Sequence, residues 1–213
     1  APNGIKDSVA IKFGHLITRF PRKCLNILSL FSERFQVTLN PWKMIDRLFI
    51  YCDTFIDQTC VDDYISILCY LNAKFPSFRE NRIKHTWSAF SQIIKKCEID
   101  FSKAKAYYAM CQLYELRPRI IKNCPFPETA PDDLSNPNLQ KAVISLLLRC
   151  SPNQIEEPTI KALFQIKNKS CFLALSQLAE NHECAKVLSN DLSWLQDEIP
   201  TAEGTMQIFA KLL

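Results

Sequence analysis

Three histidines, His15, His85 and His182, and ten cysteines are the residues that could serve as bases, nucleophiles or metal ligands in this 213-residue chain. They crowd at one place, where His182 and Cys184 stand among Glu180 and Glu183. A metal shell needs donors that converge, and a cysteine nucleophile needs a base pointed at its sulfur. Residues two apart on a helix point in different directions, and no second ligand cluster completes a shell. His182 therefore reads as a helix-turn histidine and Cys184 as a packed one. The other cysteines are Cys24, Cys52, Cys60, Cys69, Cys97, Cys111, Cys124, Cys150 and Cys171. No pair has C-x-x-C spacing, and most interrupt helical apolar patterns, so they read as small buried hydrophobes of a reducing compartment. The expected location is intracellular, nuclear or cytoplasmic.

Paired carboxylates at Asp62-Asp63, Asp132-Asp133 and Glu156-Glu157 have the residue type for general acid-base work. At helix starts they answer the macrodipole, and in a proline-rich loop they are solvated. Gly4, Gly14 and Gly204 stand far apart, whereas a phosphate-cradling loop needs clustered glycines for close backbone approach. P-loop and Rossmann chemistry are thereby excluded. No catalytic residue, metal or cofactor is expected, and the chain reads as a non-enzyme.

Charge leaves one candidate surface. The net charge is +4, yet residues 76–123 hold ten basic and four acidic side chains, while residues 124–213 hold seven basic and eleven acidic ones. The basic block comprises Arg79, Arg82, Lys84, Lys95, Lys96, Lys103, Lys105, Arg117, Arg119 and Lys122. On stacked helices such cations could line one ridge beside Trp87, Tyr107 and Tyr114, and meet a nucleic-acid backbone or an acidic peptide. The spacing of those aromatics places them in the core.

The elements that would position these residues are helices. Apolar residues recur three and four apart, as in Ile45, Leu48, Phe49, Cys52 and Phe55, or Val61, Tyr64, Ile65, Leu68 and Leu71. Another stripe is read through Ala104, Tyr107, Tyr108, Cys111 and Tyr114. Restarts fall about every twenty residues, after Asp7, at Pro21, at Asn40-Pro41, near Thr59, at Ser77 and at Asp100. Arg117-Pro118 turns the chain, and residues 124–137, with four prolines and no periodicity, read as an acidic loop. Beyond it helices are expected at 138–150, 156–166, 170–181, 183–199 and from Thr201 onward. The longest strongly apolar run, Val143 to Leu148, is far too short to cross a bilayer, so no membrane partner is expected. The expectation is an all-α chain of about eleven helices in a solenoid of antiparallel pairs. Its parts are a basic half at 1–123, the loop at 124–137 and a second half at 138–213. The Ala-Pro-Asn start and the apolar end at Phe209–Leu213 read as a piece of something longer.

The stretch from Cys171 to Leu188, CFLALSQLAENHECAKVL, followed by Leu192, Trp194 and Leu195, resembles the last two helices of an armadillo repeat. The family usually has proline where His182 stands and glycine near Asn190 and Asp191. The resemblance implies an armadillo- or HEAT-like scaffold whose last helix lines a concave binding surface. The function expected is a helical-repeat module that holds a protein or peptide partner to assemble a larger complex. The alternative is a nucleic-acid-binding solenoid that uses the 76–123 block.

Overall fold

The computed structural model describes residues 7–34, 42–57, 60–74, 79–166, 169–180 and 182–190. Every regular element among them is a helix. The expected caps at Asn40, Thr59 and Ser77, and the expected helices over 191–199 and from Thr201 onward, lie outside the described residues. So do Leu192, Trp194 and Leu195. None of the described helices is long and apolar enough to cross a membrane. The chain divides into two units, Ala1–Ile121 and Lys122–Leu213. The segment 124–137, expected to separate two halves, lies wholly within the second.

The first unit holds α1 (Asp7–Arg19), α2 (Pro21–Arg34), α3 (Trp42–Ile50), α4 (Cys52–Asp57), α5 (Val61–Lys74), α6 (Glu80–Lys96), α7 (Asp100–Leu116) and the short α8 (Pro118–Ile121). One helix was expected where α3 and α4 stand, and the chain breaks it at Tyr51. That ring sits against α1 so closely that a Cβ on Gly14 would lie 3.0 Å from it. Glycine, poor at a helix centre, leaves room there for the ring, which would have to give by a few tenths of an ångström to admit a Cβ. Pro118 opens α8, since a proline at the first helical position gives up no hydrogen bond.

Contacts in this unit follow chain order. α1 packs on α2 and α3, α2 on α5, and α6 touches α3, α4, α5, α7 and α8; α7 also packs on α5 and α8. Counting α3 and α4 as one interrupted helix, every principal contact joins a helix to the next or the next but one. The core comprises Ile17, Leu28, Ile45, Leu48, Phe55, Tyr64, Leu68, Trp87, Phe90, Ile93 and Tyr107, each no more than 1% exposed.

The stripe expected on α7 is displaced. Tyr107 and Cys111 are buried, but Tyr108 is 42% exposed, and the buried side extends instead to Ala106, Ala109, Met110 and Leu113. α7 is covered by α5 and α6 together. Its buried arc therefore exceeds a single amphipathic stripe, and its small alanines admit the neighbours closely.

The second unit holds α9 (Ala130–Ser135), α10 (Pro137–Leu147), a 3-10 turn at Pro152–Gln154, α11 (Glu157–Phe164), α12 (Lys169–Leu178) and α13 (His182–Asn190). α9 corrects the reading of 124–137 as an irregular loop. Six residues are too few for a visible period, yet Pro131 in its first positions and Asp132 and Asp133 in its first turn are helix-start chemistry. Asn136 then caps α10, its side chain accepting from the Asn138 N–H at 3.0 Å. Here too contacts run between neighbours: α9 with α10 and α11, α10 with α12, and α11 with α12 and α13.

Buried amides and hydroxyls tie these helices at set registers. The Tyr64 hydroxyl donates to the Leu48 carbonyl at 3.0 Å, and its ring stacks on Phe55 with centroids 4.5 Å apart. Leu48 lies in the last turn of α3, where carbonyls lack intrahelical partners. In the second unit the Gln154 side chain accepts from the Ser151 N–H at 3.0 Å and donates to the Cys124 carbonyl at 2.6 Å. Tyr64→Phe should keep the ring stack but strip the Leu48 carbonyl of its donor. A loss of about 1–2 kcal/mol in urea-unfolding free energy is expected.

Candidate functional site

The ten cations of the basic block are not gathered on one side of their helices. On α6, Arg82 and Lys96 lie on one flank and Lys84 and Lys95 on another, about 100–160° around the axis at 3.6 residues per turn. The first flank faces α3 and α4 and is neutralised there. Arg82 forms a two-pronged pair with Asp46, Nε to Oδ1 at 2.7 Å and Nη2 to Oδ2 at 2.9 Å, and its side chain is only 13% exposed. Lys96 reaches Asp53 at 2.7 Å, and that carboxylate raises the lysine's pKa. On the second flank Lys84 pairs with Glu80, one turn away, at 2.6 Å.

The remaining seven are scattered further. Lys103 and Lys105, two apart on α7, point to different sides, and Lys105 donates to the Asp62 carbonyl at 2.9 Å. Arg117 donates to the Leu116 carbonyl at 3.0 Å. Arg79 stands exposed at the start of α6, Lys95 is exposed near its end, and Arg119 is exposed on α8. Lys122 belongs to the second unit. Sequence counting missed the pairing because Asp46 and Asp53 stand some forty residues before their partners, in a stretch that is itself nearly neutral.

Arg82 also anchors a buried polar thread through the first unit. The Thr86 hydroxyl donates to the Arg82 carbonyl at 2.9 Å, and Asn72 Nδ2 donates to Thr86 Oγ1 at 3.2 Å and to the Leu68 carbonyl at 2.8 Å. With both amide protons used, Asn72 Oδ1 points elsewhere and has no partner. Asn72 is 2% exposed and lines a cleft of about 50 Å³ between α5 and α7, with Phe90 of α6 and with Ala109, Gln112, Leu113 and Leu116. A second cleft, about 310 Å³, lies in the other unit among Pro152, Asn153, Ile155, Glu157, Ile160, Cys184 and Val187. Nothing in the sequence signalled either cleft, since each is walled by residues far apart in the chain.

The residues first considered for chemistry are dispersed. Cys184 is buried, its thiol directed at the Pro152 carbonyl at 3.8 Å. His15 is exposed on α1, and the exposed His85 packs on the Phe49 ring, with centroids 5.5 Å apart. The side chains of His182 and Glu183 lie outside what is described. Among the carboxylate pairs, Asp63 meets Arg22 at 3.2 Å and Glu157 meets Lys161 at 2.6 Å. Among the described residues no three His, Cys, Asp or Glu side chains form a metal-holding group.

All ten cysteines are free thiols, and nine are buried. Burial pushes Cys52 up to about 12 and Cys69 and Cys171 up to about 11, and it also raises Cys24 and Cys60. Tyr64, wholly enclosed, is raised well above its usual range by the same burial. Thiols held protonated are poor nucleophiles and poor metal ligands.

Comparison of the chain with protein-family models, curated proteins and solved structures finds no match.

Two outcomes follow from this geometry. A thiol raised from 9.0 to about 12 keeps its proton in the folded state while the unfolded chain releases it. Stability should therefore be fully present below pH 9 and fall as pH rises toward 12, by up to about 1.4 kcal/mol per unit for Cys52 alone. Urea midpoints across pH 7–11 check this, and a flat profile would contradict it. Because Asn72 carries an unmet acceptor, removing the polar pair altogether should help. Asn72→Leu with Thr86→Val is expected to raise unfolding free energy by about 1 kcal/mol, whereas Asn72→Ala, which leaves a void, should lower it.

Proposed function

We propose that this chain is a non-catalytic helical-repeat scaffold that holds a protein or peptide partner and assembles it into a larger complex. The observation that carries the reading is the order of helix contacts. Within each unit the principal contacts join a helix to the next or to the next but one, so each part of the chain is covered by near neighbours in sequence. A solenoid of helix pairs has this property, and such folds present long surfaces to partners. An armadillo- or HEAT-like architecture is part of the same proposal, supported by Lys169–Leu178 and His182–Asn190 forming two successive helices where the repeat-like motif stands.

The clefts suit this role better than they suit catalysis. That between α5 and α7 is walled mostly by apolar side chains and, at about 50 Å³, is far smaller than a substrate pocket. The basic block lends little to the nucleic-acid alternative, because Arg82, Lys84 and Lys96 are already matched by Asp46, Glu80 and Asp53.

Affinity purification of the intact chain from its native cells, washed at 0.15 M and then 0.5 M NaCl, tests the reading. A stoichiometric protein partner retained through the second wash is expected. Nuclease-sensitive material lost steeply with salt, together with direct RNA or DNA binding by the purified chain, would replace the scaffold with a nucleic-acid binder.

A further inference from the structure

The α1–α2 pair carries apolar side chains that the other described helices of the unit leave exposed. Half of the exposed large apolar side chains among the described residues fall here: Val9, Ile11, Leu16, Phe20, Ile27 and Leu30, between 38% and 51% exposed. Their placement is not random. On α1, Gly14 faces Tyr51, whereas Val9 and Leu16, seven residues apart and so on one stripe, lie about 140–160° around the helix from it. On α2, Arg22 reaches toward α5 to meet Asp63, and Ile27 lies about 140° away from it. Val9, Leu16 and Ile27 therefore point away from the neighbours on the other sides of the pair, whereas Ile11, about 60° from Gly14, lies on the opposite flank of α1.

The charge of this pair is mostly positive, its two acids, Asp7 and Glu33, standing at the outer ends of α1 and α2. From Ser8 to Ser32 the chain has no carboxylate, but it has Lys12, Arg19, Arg22 and Lys23. Arg22 is matched by Asp63, while Lys12, Arg19 and Lys23 stand exposed beside the apolar stripes, Lys23 over the Phe20 ring at 5.4 Å. The exposed middle of α1 is polar, with Lys12, His15 and Arg19, and its apolar residues point sideways. That layout fits a helix laid alongside better than a flat surface pressed from above.

We infer that the α1–α2 face docks an amphipathic helix of a partner protein, with an apolar stripe spaced three, four and seven residues apart and Asp or Glu along its edges. The inference rests on the scaffold reading and specifies where and by what chemistry a partner is held. Apolar burial supplies the affinity, and the cations select an acid-flanked helix over a basic one.

The test uses the intact chain and a phage-displayed library of 20-residue helix-forming peptides. Recovered peptides should share an apolar stripe with acidic flanks. Their affinity should fall at least tenfold for the Leu16→Glu, Ile27→Glu double variant and several-fold for Arg19→Glu. It should be unchanged for Leu173→Glu in the second unit. Because the altered side chains are exposed, circular dichroism should match the parent.

Peptides that keep their affinity for the double variant, or no enrichment at all, would overturn the inference. The purified-partner experiment would then still decide the scaffold reading by itself. Two further results would also overturn it by naming another occupant. One is binding to phosphatidylserine vesicles that the double variant loses; the other is a dimer in sedimentation velocity that the double variant dissociates.

Discussion

The first unit is organised by the burial of α6. Its Ile83, Thr86, Trp87, Phe90, Ile93 and Ile94 are all enclosed, and five other helices supply the enclosure. A side chain the size of Trp87 removes a large apolar area from water only when its neighbours close over it from several sides. α3, α4, α5 and α7 must all be in place before that burial is complete. The polar contacts then fix where each one stops. Arg82 with Asp46 sets α3, Lys96 with Asp53 sets α4, and Thr86 with Asn72 sets α5. These contacts supply register more than net stability, since the exposed Lys96–Asp53 pair is worth little, desolvation of Arg82 offsets part of its pairing with Asp46, and Asn72 is left with an unmet acceptor.

The helices were legible in the sequence because most are amphipathic and bounded by Pro, Asp or Asn. Pro21, Asp100 and Pro118 open α2, α7 and α8 at or next to the punctuation that announces them. What escaped was decided by groups distant in sequence. The break at Tyr51 concerns its seating on Gly14, thirty-seven residues earlier, and nothing local to Tyr51 foretells it. α9 was too short to show a period. The stripe on α7 was misplaced because a helix covered from two sides buries whatever faces either one.

The candidate surfaces were harder to read for a related reason. A count of cations along a segment cannot know which face each lands on, or which distant acid answers it. The basic block from 76 to 123 looked like one feature and is divided among two flanks of α6, opposite sides of α7 and two units. The stretch from Ser8 to Ser32 shows no excess of that size in net charge, yet its cations lie beside exposed apolar residues.

The neighbour-to-neighbour order of contacts also bears on how each unit forms. When helices meet only the next or the next but one along the chain, closing each contact costs little loop entropy, and relative contact order is low. Each unit can therefore assemble from contacts that are short in sequence. The same property makes opening graded. A terminal helix can detach while the interior persists, so amide hydrogen exchange would show protection declining toward the edges of each unit rather than one shared value.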